Sequence, residues 1–428
     1  MFKTILNNLL KFFTKKILAK YKPDIVGITG SVGKTSAKEA VAKVLAVKFE
    51  VRSSNKNYNN EIGLPLTVIG ASKSPGRSVL GWVKVFVKAV GLLIFNTKYP
   101  KILVLEMGSD KPGDIKYLTD MAPGKVGVLT FISHAHTEFF HTIEKIAEEK
   151  RVIISHLPKD GFAVLNFDND LVVDAAKGIK AEKITYGFKD GADLLATDVN
   201  VIIAKEDGKT MGLNFKVVHK GTVVPVFLAG IISSRFVYAA LAGLSVGLAY
   251  GMNLVEASAG LRNLEPLPGH MRPLSGIKDT LIIDDSYNSS PAAAKAALET
   301  LAQVKIKEGA ERYAVLGDML ELGSETESAH REIGFKVAEF GIDFLITVGE
   351  ASKITAAAAR EAGLDEHHVA SFADSAAAGK FLQEAIKDGD VMLVKGSQGS
   401  RMEKIVKEVM AEPMKAKDLL VRQGEEWL

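Results

Sequence analysis

The chain alternates between short apolar runs and amphipathic stretches over most of its length. Apolar runs at residues 25–29, 101–105, 126–132 and 161–166 predict buried strands. Helical spacing at residues 40–45, 143–154 and 237–250 predicts helices that cover a sheet. Residues 183–228 alternate in short β-like runs separated by turns, which predicts a smaller β-rich subregion. Strands that alternate with helices are typical of a parallel sheet wrapped by helices.

A second alternation of strands and helices begins after residues 264–269, where Pro266 and Pro268 predict an extended linker. Strands are predicted at 281–284, 312–316, 344–348 and 391–394, with helices at 291–303, 326–340 and 373–387. This order predicts a doubly wound, Rossmann-like domain. We therefore expect an α/β protein with an amino-terminal helix (1–24), a central P-loop domain with a parallel sheet (25–264) and a C-terminal domain (265–428).

Two segments combine large apolar side chains with lysines. Residues 1–22 contain six lysines, no acidic residue and apolar positions at roughly helical spacing. Residues 79–90 are strongly apolar, with Lys84 and Lys88 one helical turn apart. Each segment fits a helix that packs on its own domain or one that lies on an anionic membrane surface, and we favour packing. Uncharged apolar tracts fall far short of the roughly 20 residues that span a bilayer.

Residues 25–36 have the pattern of a strand, a phosphate-binding loop and the start of a helix. Gly30 and Gly33 would let the backbone approach an anion closely, and Lys34 would add a mobile positive charge. The hydroxyl of Thr35 or Ser36 would then hold magnesium. The common P-loop has a glycine at the position of Ile28, so the spacing here is shorter. The pattern predicts nucleotide binding.

Polar residues follow two of the predicted strands. Glu106 ends one strand, and His134 and His136 come after the next. Ligands bind at the carboxyl ends of parallel strands, where Glu106 would complete a magnesium shell or cap a helix. The histidines fit a metal site or a solvated loop. The chain has no cysteine, which excludes disulfides, thiolate metal sites and a cysteine nucleophile and fits a cytoplasmic setting, while its net charge of +3 is unremarkable.

Taken together, the motifs resemble those of the Mur ligase superfamily, ATP-dependent amide ligases of cell-wall precursor synthesis. In chain order they are Thr29–Ser36, Asn57–Gly63, Glu106–Gly108, Ala135–Glu138, Asp284–Asn288, Leu316–Gly323 and Lys395–Ser397. The middle and last motifs are most similar to the branch that adds D-alanyl-D-alanine to a UDP-muramoyl tripeptide. The resemblance implies a reaction in which ATP converts a carboxylate into an acyl phosphate, which an amine then attacks.

The resemblance also implies roles for individual residues. It implies a nucleotide site formed by Gly30, Ser31, Gly33, Lys34, Thr35, Ser36, Arg272, Asp285 and Asn288. It implies a magnesium site formed by Thr35, Glu106, His136 and Lys150, with Lys150 as a carbamate. Lys34, Lys150 and His136 would be catalytic. The expected cofactors are ATP and Mg²⁺, and the expected substrates are a muramoyl peptide and D-alanyl-D-alanine. We expect a cytoplasmic monomer with no nucleic acid partner.

Three features depart from the family pattern. Where relatives have His-Asn-x-x-Asn near the nucleotide base, this chain has Ser234-Arg235-Phe236-Val237-Tyr238, so strict preference for ATP is in question. The usual Tyr-Asn-Ala-Asn-Pro becomes Tyr287-Asn288-Ser289-Ser290-Pro291. Only 24 residues precede the predicted strand at 25–29, so we expect no separate amino-terminal domain for the UDP-sugar.

Two alternatives to the D-alanyl-D-alanine reaction follow from these departures. One is a Mur-type ligase for a different or lipid-linked acceptor. The other is a nucleotide-binding regulatory protein that has lost turnover. The joint presence of Lys34, Thr35, Glu106, His136 and Lys150 favours an enzyme, because a purely structural remnant has no physical need for all five.

Overall fold

The computed structural model describes residues 2–54, 58–71, 73–133, 140, 142–203, 211–424 and 427. These residues form two β-sheets that follow one another along the chain, each covered by helices. The α/β class predicted from the alternating pattern is confirmed. The predicted domain boundaries at residues 24/25 and 264/265 stay predictions.

The first sheet has nine strands in the order β2-β3-β1-β4-β5-β6-β7-β8-β9. The strands are β1 (Asp24–Thr29), β2 (Val51–Ser53), β3 (Ile102–Glu106), β4 (Val126–Leu129), β5 (Phe162–Asn166), β6 (Glu182–Gly187), β7 (Leu194–Ile203), β8 (Met211–His219) and β9 (Thr222–Ala229). Pairing is parallel from β2 to β7, whereas β8 runs antiparallel to both β7 and β9. The predicted β-rich subregion is therefore an antiparallel extension of the main sheet.

Helices cover both faces of the parallel part. They are α1 (Phe2–Tyr21), α2 (Lys34–Leu45), α3 (Gly63–Ile69), α4 (Val79–Ile94), α5 (Asp114–Met121), α6 (Ile143–Ser155), α7 (Asp170–Ala175), α8 (Arg235–Ala249) and α9 (Leu254–Leu261). Two separate groups of buried side chains contain alternate residues of β1, Val26 and Ile28 in one and Ile25 in the other. Because both faces are covered, β3 and β4 are buried along their whole length, which explains their uninterrupted apolar sequences.

The second sheet has six strands in the order β10-β11-β15-β12-β13-β14. Its strands are β10 (Arg272–Ser275), β11 (Leu281–Asp285), β12 (Arg312–Gly317), β13 (Phe344–Val348), β14 (Val369–Phe372) and β15 (Val391–Lys395). Its helices are α10 (Pro291–Gln303), α11 (Thr326–Glu339), α12 (Ser352–Glu361), α13 (Ser375–Ala385), α14 (Glu403–Val409) and α15 (Ala416–Leu419). Only β10 is antiparallel to its neighbour, so the Rossmann-like prediction is confirmed for the other five strands.

The strand predicted at 126–132 is three residues too long, because β4 ends at Leu129. Beyond that point the backbone turns toward the loop after β1. The Thr130 hydroxyl donates to the Val32 carbonyl (2.7 Å), and the Phe131 carbonyl accepts from the Ser31 N–H (2.6 Å). Residues 126–129 of this run therefore form the strand, and residues 130–131 contact the loop after β1.

The two lysine-containing apolar segments, α1 and α4, pack on each other and on α3. Leu6, Leu10 and Ile17 of α1 are buried, and the Phe13 and Phe86 rings lie 5.6 Å apart. Intramolecular packing, the interpretation we favoured, is therefore confirmed for these faces. No helix among the described residues combines the length and the apolar character needed to span a bilayer.

Adjacent leucines in α1 provide a matched test of this packing. Leu10 is fully buried, whereas Leu9 is 42% exposed. We expect Leu10→Ala to lower the free energy of unfolding by about 2–5 kcal/mol, because it leaves a cavity. Leu9→Ala should stay within about 0.5 kcal/mol of the parent. Urea unfolding measures both, and equal effects of the two changes would show that α1 is not part of the folded core.

Candidate active site

The loop after β1 approaches the segment after β4 so closely that one position must be glycine. A Cβ on Gly30 would lie 2.0 Å from the Thr130 hydroxyl oxygen and 3.0 Å from the Phe131 nitrogen. Gly33, immediately before α2, has a φ of 82°, a left-handed conformation that glycine adopts without strain. A Cβ at Gly33 would meet no described atom within 4 Å, so the loop is open on that side.

Hydrogen bonds hold the loop in place. The Ser31 hydroxyl donates to the Ser133 carbonyl (3.0 Å) and accepts from the Ser133 N–H (3.1 Å). Thr35 and Ser36, both half-buried, lie in the first turn of α2. The N-terminal N–H groups of this helix have no partners within the helix and, together with its dipole, favour an anion. Gly30, Ser31, Gly33, Lys34, Thr35 and Ser36 therefore lie together on the loop and the first turn of α2, and their role in binding a nucleotide stays a prediction.

The Lys34 amine lies over this loop in a water-poor environment. Its Nζ donates to the carbonyls of Gly30 (2.7 Å) and Ser31 (3.3 Å). Burial lowers the pKa of Lys34, and the nearby carboxylates of Glu106 and Asp110 oppose the shift. A buried cation stays protonated most readily when an anion is beside it, which is what a phosphate group would provide.

Lys150, on α6, is a second buried amine near the first. Its Nζ lies 3.3 Å from the Ser109 hydroxyl and the residue is only 4% exposed. Burial is the main reason that the pKa of Lys150 falls to about 7, and the positive charge of Lys34 lowers it further. Glu149 and Asp110 oppose the shift. A large fraction of this amine is therefore neutral near pH 7.

Glu149 does not form a direct ion pair with Lys150 among the described contacts, because its carboxylate binds backbone instead. Its two oxygens accept from the N–H groups of Gly113 and Ile115, each at 2.7 Å. These donors lie at the N-terminus of α5, where a negative charge is stabilised by the helix dipole. Glu149 thus fixes α6 against α5 and so positions Lys150.

Glu106 ends β3 with one carboxylate oxygen held and the other without a partner. Oε1 accepts from the Asn59 amide (3.2 Å), whereas the buried Oε2 accepts no hydrogen bond from the part of the chain that the structure describes. A buried carboxylate oxygen with no donor is costly unless a cation occupies the space beside it. In register, Glu106 lies opposite Ile28 of β1, next to the phosphate loop.

The other predicted metal ligands do not form a complete metal site among the described residues. His136 lies outside the described residues, so its predicted role stays a prediction. Across the described ranges, no three side chains of the His, Cys, Asp and Glu types come together as a metal site. Glu106 and the Thr35 hydroxyl are oxygen donors of the kind that Mg²⁺ prefers, and this ion usually takes only one or two protein ligands and keeps its other positions for water and phosphate.

A second group of polar residues lies at the carboxyl end of β11 and β15. Lys395 and Asp285 form a buried ion pair, with Nζ 2.6 Å from Oδ2 and the lysine side chain 2% exposed. Lys395 also donates to the Asn288 carbonyl (2.8 Å), and Asp285 Oδ1 accepts from the Met271 N–H (3.1 Å). The pair ties the loop 286–290 to the linker. Arg272, half-buried, begins β10 opposite Asp284.

The Asp284 carboxylate holds the linker in place through hydrogen bonds. It accepts from the Gly269 N–H and from the N–H and hydroxyl of Ser286. Burial raises the pKa of Asp284 to about 6, although these hydrogen bonds oppose the shift. Gly269 has a φ of 70°, and a Cβ there would lie 3.0 Å from the Tyr287 nitrogen. The linker turn therefore depends on glycine at this position.

The two groups of polar residues face each other. Burial raises the pKa of Tyr287, and the charge of Glu106, from the first sheet, adds to this shift. His270 stacks on Tyr287 with ring centroids 4.7 Å apart. Arg235, at the start of α8, donates to the Ala292 carbonyl in the first turn of α10. The candidate site is therefore a cleft between the carboxyl ends of the two sheets.

Sequence reasoning missed several residues that support this cleft. Lys38 is fully buried and donates to the Ser54 carbonyl (2.8 Å), and the Ser54 hydroxyl accepts from the Glu106 N–H (3.1 Å). Arg422 donates to the carbonyls of Ser286 and Tyr287 and pairs with the buried Glu403. For Lys38, the available sequence signal was the position of a lysine on the apolar side of a predicted helix. Nothing in the local pattern marks Arg422, which lies 135 residues from Tyr287 along the chain.

Comparisons with known proteins agree with this two-part cleft. The Mur ligase middle domain matches residues 28–80 and 88–246, and the Mur ligase, glutamate ligase domain, matches residues 269–398. The UDP-N-acetylmuramoyl-tripeptide–D-alanyl-D-alanine ligase of Bacillus subtilis is 30% identical over 413 residues, covering 95% of this chain and 80% of the relative. The chain belongs to the Mur ligase family.

Solved Mur ligase structures extend the similarity to three dimensions. The MurF ligase of Thermotoga maritima, in complex with ADP, has a TM-score of 0.76 and 27% identity, covering 94% of this chain and 83% of that chain. Among the relatives compared by sequence, the UDP-N-acetylmuramoyl-tripeptide–D-alanyl-D-alanine ligase of Escherichia coli is 30% identical over 388 residues, covering 90% of this chain and 76% of the relative. Members of the Mur ligase family are ATP-dependent ligases that form C–N bonds, and this chain is one of them.

The Lys395–Asp285 pair predicts a measurable coupling. Lys395→Met should lower the free energy of unfolding by about 3–5 kcal/mol, because it leaves a mostly buried carboxylate without its partner. Asp285→Asn combined with Lys395→Met should recover a large part of the loss, since no unpaired charge then remains. Urea unfolding of the two single variants and the double variant gives the coupling energy. Losses that simply add would show that the two charges do not interact.

Proposed function

We propose that this Mur ligase joins D-alanyl-D-alanine to a UDP-muramoyl tripeptide in peptidoglycan precursor synthesis, with Mg²⁺ and ATP. The observation that carries the proposal is the phosphate loop with the half-buried amine of Lys34 and the buried amine of Lys150, near Glu106, whose Oε2 has no hydrogen-bond partner among the described residues. The printed names of the Bacillus and Escherichia relatives supply the substrate pair.

The donor set fits magnesium. Glu106 Oε2 needs a cation, the Thr35 hydroxyl lies in the first turn of α2, and both are the hard oxygen donors that Mg²⁺ prefers. His136 is proposed as a further residue near the ions, as the resemblance implies. When bound, Mg²⁺ would supply neutralisation of the charge that gathers on the phosphoryl oxygens.

The proposed reaction needs two steps because a carboxylate is a poor acylating agent. First, the peptide carboxylate oxygen forms a bond to the γ-phosphorus of ATP, and the bond to the ADP oxygen breaks. The amine of D-alanyl-D-alanine then attacks the acyl carbon, loses a proton and expels inorganic phosphate. Lys34 would hold the phosphoryl oxygens through this transfer, since positioning and electrostatic stabilisation are most of what a protein can contribute to it.

The residues of the second sheet would close over the nucleotide. Asp285, the Asn288 loop and Arg272 lie across the cleft from the phosphate loop and are proposed to contact the bound nucleotide. Movement of residues 265–428 relative to residues 25–264 would keep water from the acyl phosphate. We further propose that the ligase works as a monomer in the cytoplasm, where its cofactor ATP is made.

The test is an ADP-release assay with a panel of muropeptides and amines, with the product identified by mass spectrometry. ADP release should require both the tripeptide and D-alanyl-D-alanine, and EDTA should stop it until Mg²⁺ is restored. Lys34→Ala should fold normally and lose roughly two to three orders of magnitude in rate, because a phosphate contact made in the transition state is gone.

Different results would point elsewhere. Turnover with another amine or a lipid-linked acceptor would replace the proposed substrate and keep the ligase chemistry. A Lys34→Ala variant that turns over at the parental rate would remove the phosphate-loop assignment. Nucleotide binding without ADP release across the whole panel would support the non-catalytic alternative.

Lys150 is proposed to act as a carbamate, formed when its neutral amine attacks CO₂ and releases a proton. Its lowered pKa, about 7, supplies the neutral amine. In ¹³C-bicarbonate buffer containing Mg²⁺ and ADP, we expect a carbamate ¹³C signal that grows as the pH rises from about 6 to about 8. Lys34→Met should weaken the signal near pH 7, because loss of the neighbouring positive charge raises the Lys150 pKa.

Lys150→Ala is the control for this measurement. It should lack the signal, turn over very slowly and regain part of its rate with short-chain carboxylates, which can replace the missing anion. A parental ligase that shows no carbamate signal between about pH 6 and pH 9, or a Lys150→Ala variant with full activity, would overturn the carbamate role without affecting the phosphate-loop assignment.

A further inference from the structure

Helices α1 and α4 lie side by side and run in the same direction. Phe13 contacts Phe86, and one to two turns further on the Tyr21 hydroxyl donates to the Leu92 carbonyl (2.8 Å). Both contacts advance toward the C-termini of the two helices together, which defines a parallel pair. The buried sides of both helices, marked by Leu10 and by Trp82, face the protein.

Each helix has a second apolar stripe, on the side that the protein does not cover. The members are large apolar side chains between 41% and 73% exposed. They are Ile5, Leu9 and Phe12 on α1 and Val79, Leu80, Val83, Val87, Val90 and Ile94 on α4, with Phe95 just beyond. On the helical wheel, each stripe lies next to the Phe13–Phe86 contact and away from the buried side. The two stripes therefore form one continuous outer surface, the α1/α4 face.

Along the sequence, the two segments that contain α1 and α4 carry charged side chains of one sign only. Residues 1–23 and 71–101, which contain both helices, have 12 Lys and Arg and no Asp or Glu. The other 374 residues have 42 Lys and Arg against 51 Asp and Glu, a net charge of −9. The small net charge of the whole chain is therefore the sum of a strongly basic region and an acidic remainder.

The lysines of this region differ in their partners, and two of them, Lys3 and Lys98, form ion pairs with Glu61 and Glu50 from outside the two segments. The Lys20 amine donates to the carbonyls of Leu92 and Phe95 at the end of α4, and the Lys88 amine donates to the Gly70 carbonyl, so both support the fold. Lys15, Lys16 and Lys84 are exposed beside the apolar stripes. Exposed lysines along an apolar helix face are the pattern of a helix that lies in a membrane interface.

We propose that the α1/α4 face docks this protein on the surface of an anionic lipid bilayer. Neither helix crosses the membrane, because no described helix is long and apolar enough to do so. The apolar stripes would enter the boundary between headgroups and acyl chains, and the flanking lysines would meet the lipid phosphates. Contiguous exposed apolar side chains mark an interaction site on a protein surface, and the excess of positive charge in the two segments favours an anionic partner. The proposal does not depend on the proposed substrates.

The test is co-sedimentation of the full chain with vesicles of phosphatidylglycerol and phosphatidylcholine, compared with phosphatidylcholine alone. The parent should sediment with the anionic vesicles only, and less so as salt rises, since salt screens the lysine–lipid attraction. Lys15→Glu/Lys84→Glu should weaken binding by at least about 30-fold, because each lysine contributes about fivefold. Lys404→Glu/Lys407→Glu on α14 makes the same change in net charge on another surface and should bind like the parent.

The apolar contribution has its own matched pair. Val83→Asn/Val87→Asn should weaken vesicle binding by about tenfold or more without a change in charge. Val255→Asn, at a similarly exposed valine of α9, should have no effect. Thermal unfolding of every variant should match the parent, because all these side chains are exposed.

Three outcomes would overturn the proposal. One is no binding to anionic vesicles at any salt concentration. Another is equal loss for Lys15→Glu/Lys84→Glu and Lys404→Glu/Lys407→Glu, which would reveal attraction by net charge alone. The third is a lipid-free dimer in analytical ultracentrifugation that Val83→Asn/Val87→Asn converts to monomer, which would assign the face to a second copy of the chain. The ADP-release assay with soluble substrates is independent of all three.

Discussion

Two amines held close together at low exposure are the constraint on which the active site depends. Lys150 is buried and Lys34 is half-buried, and the charge of Lys34 lowers the pKa of Lys150. A protein can hold such a pair if one amine is neutral or if anions lie between them. In the proposed site, phosphate oxygens would pair with Lys34, and loss of a proton would remove the charge of Lys150. The loop geometry at Gly30, the orientation of α6 through Glu149 and the free oxygen of Glu106 all serve this arrangement.

The second sheet forms the other half of the site, and its charged residues already form ion pairs with one another. Asp285 and Lys395 neutralise each other, and Arg422 with Glu403 holds the backbone of residues 286–287. These ion pairs hold this half of the cleft in place without a ligand. Arg235, at the start of α8, donates to the Ala292 carbonyl in the other half of the cleft. This contact links the two parts of the molecule at a position where the family pattern led us to expect an asparagine.

The pattern of apolar residues along the sequence predicted those parts of the fold that depend mainly on this local pattern. Alternating apolar runs placed most strands within a residue or two, and the helix predicted at 291–303 has the bounds of α10. The prediction at 126–132 was too long because an apolar residue after Leu129 lines the phosphate loop instead of pairing in the sheet. Within the candidate site, Lys34 and Glu106 belong to sequence motifs and could therefore be identified from the sequence. Lys38, Arg422 and Glu403 are fixed by contacts between distant parts of the chain, which no spacing rule contains.

A short buried helix connects the α1/α4 face to the site. All seven residues of α3 are buried, and α3 packs against both α1 and α4. It begins next to Asn60, whose side chain accepts from the Gly63 N–H, and the preceding Asn59 holds Glu106. A helix of this length spans about 10 Å. Because closely packed interiors deform little, a bilayer against α1 and α4 would set the orientation of the first-sheet half of the cleft relative to the membrane. The α1/α4 face is therefore linked through buried structure to that half of the site.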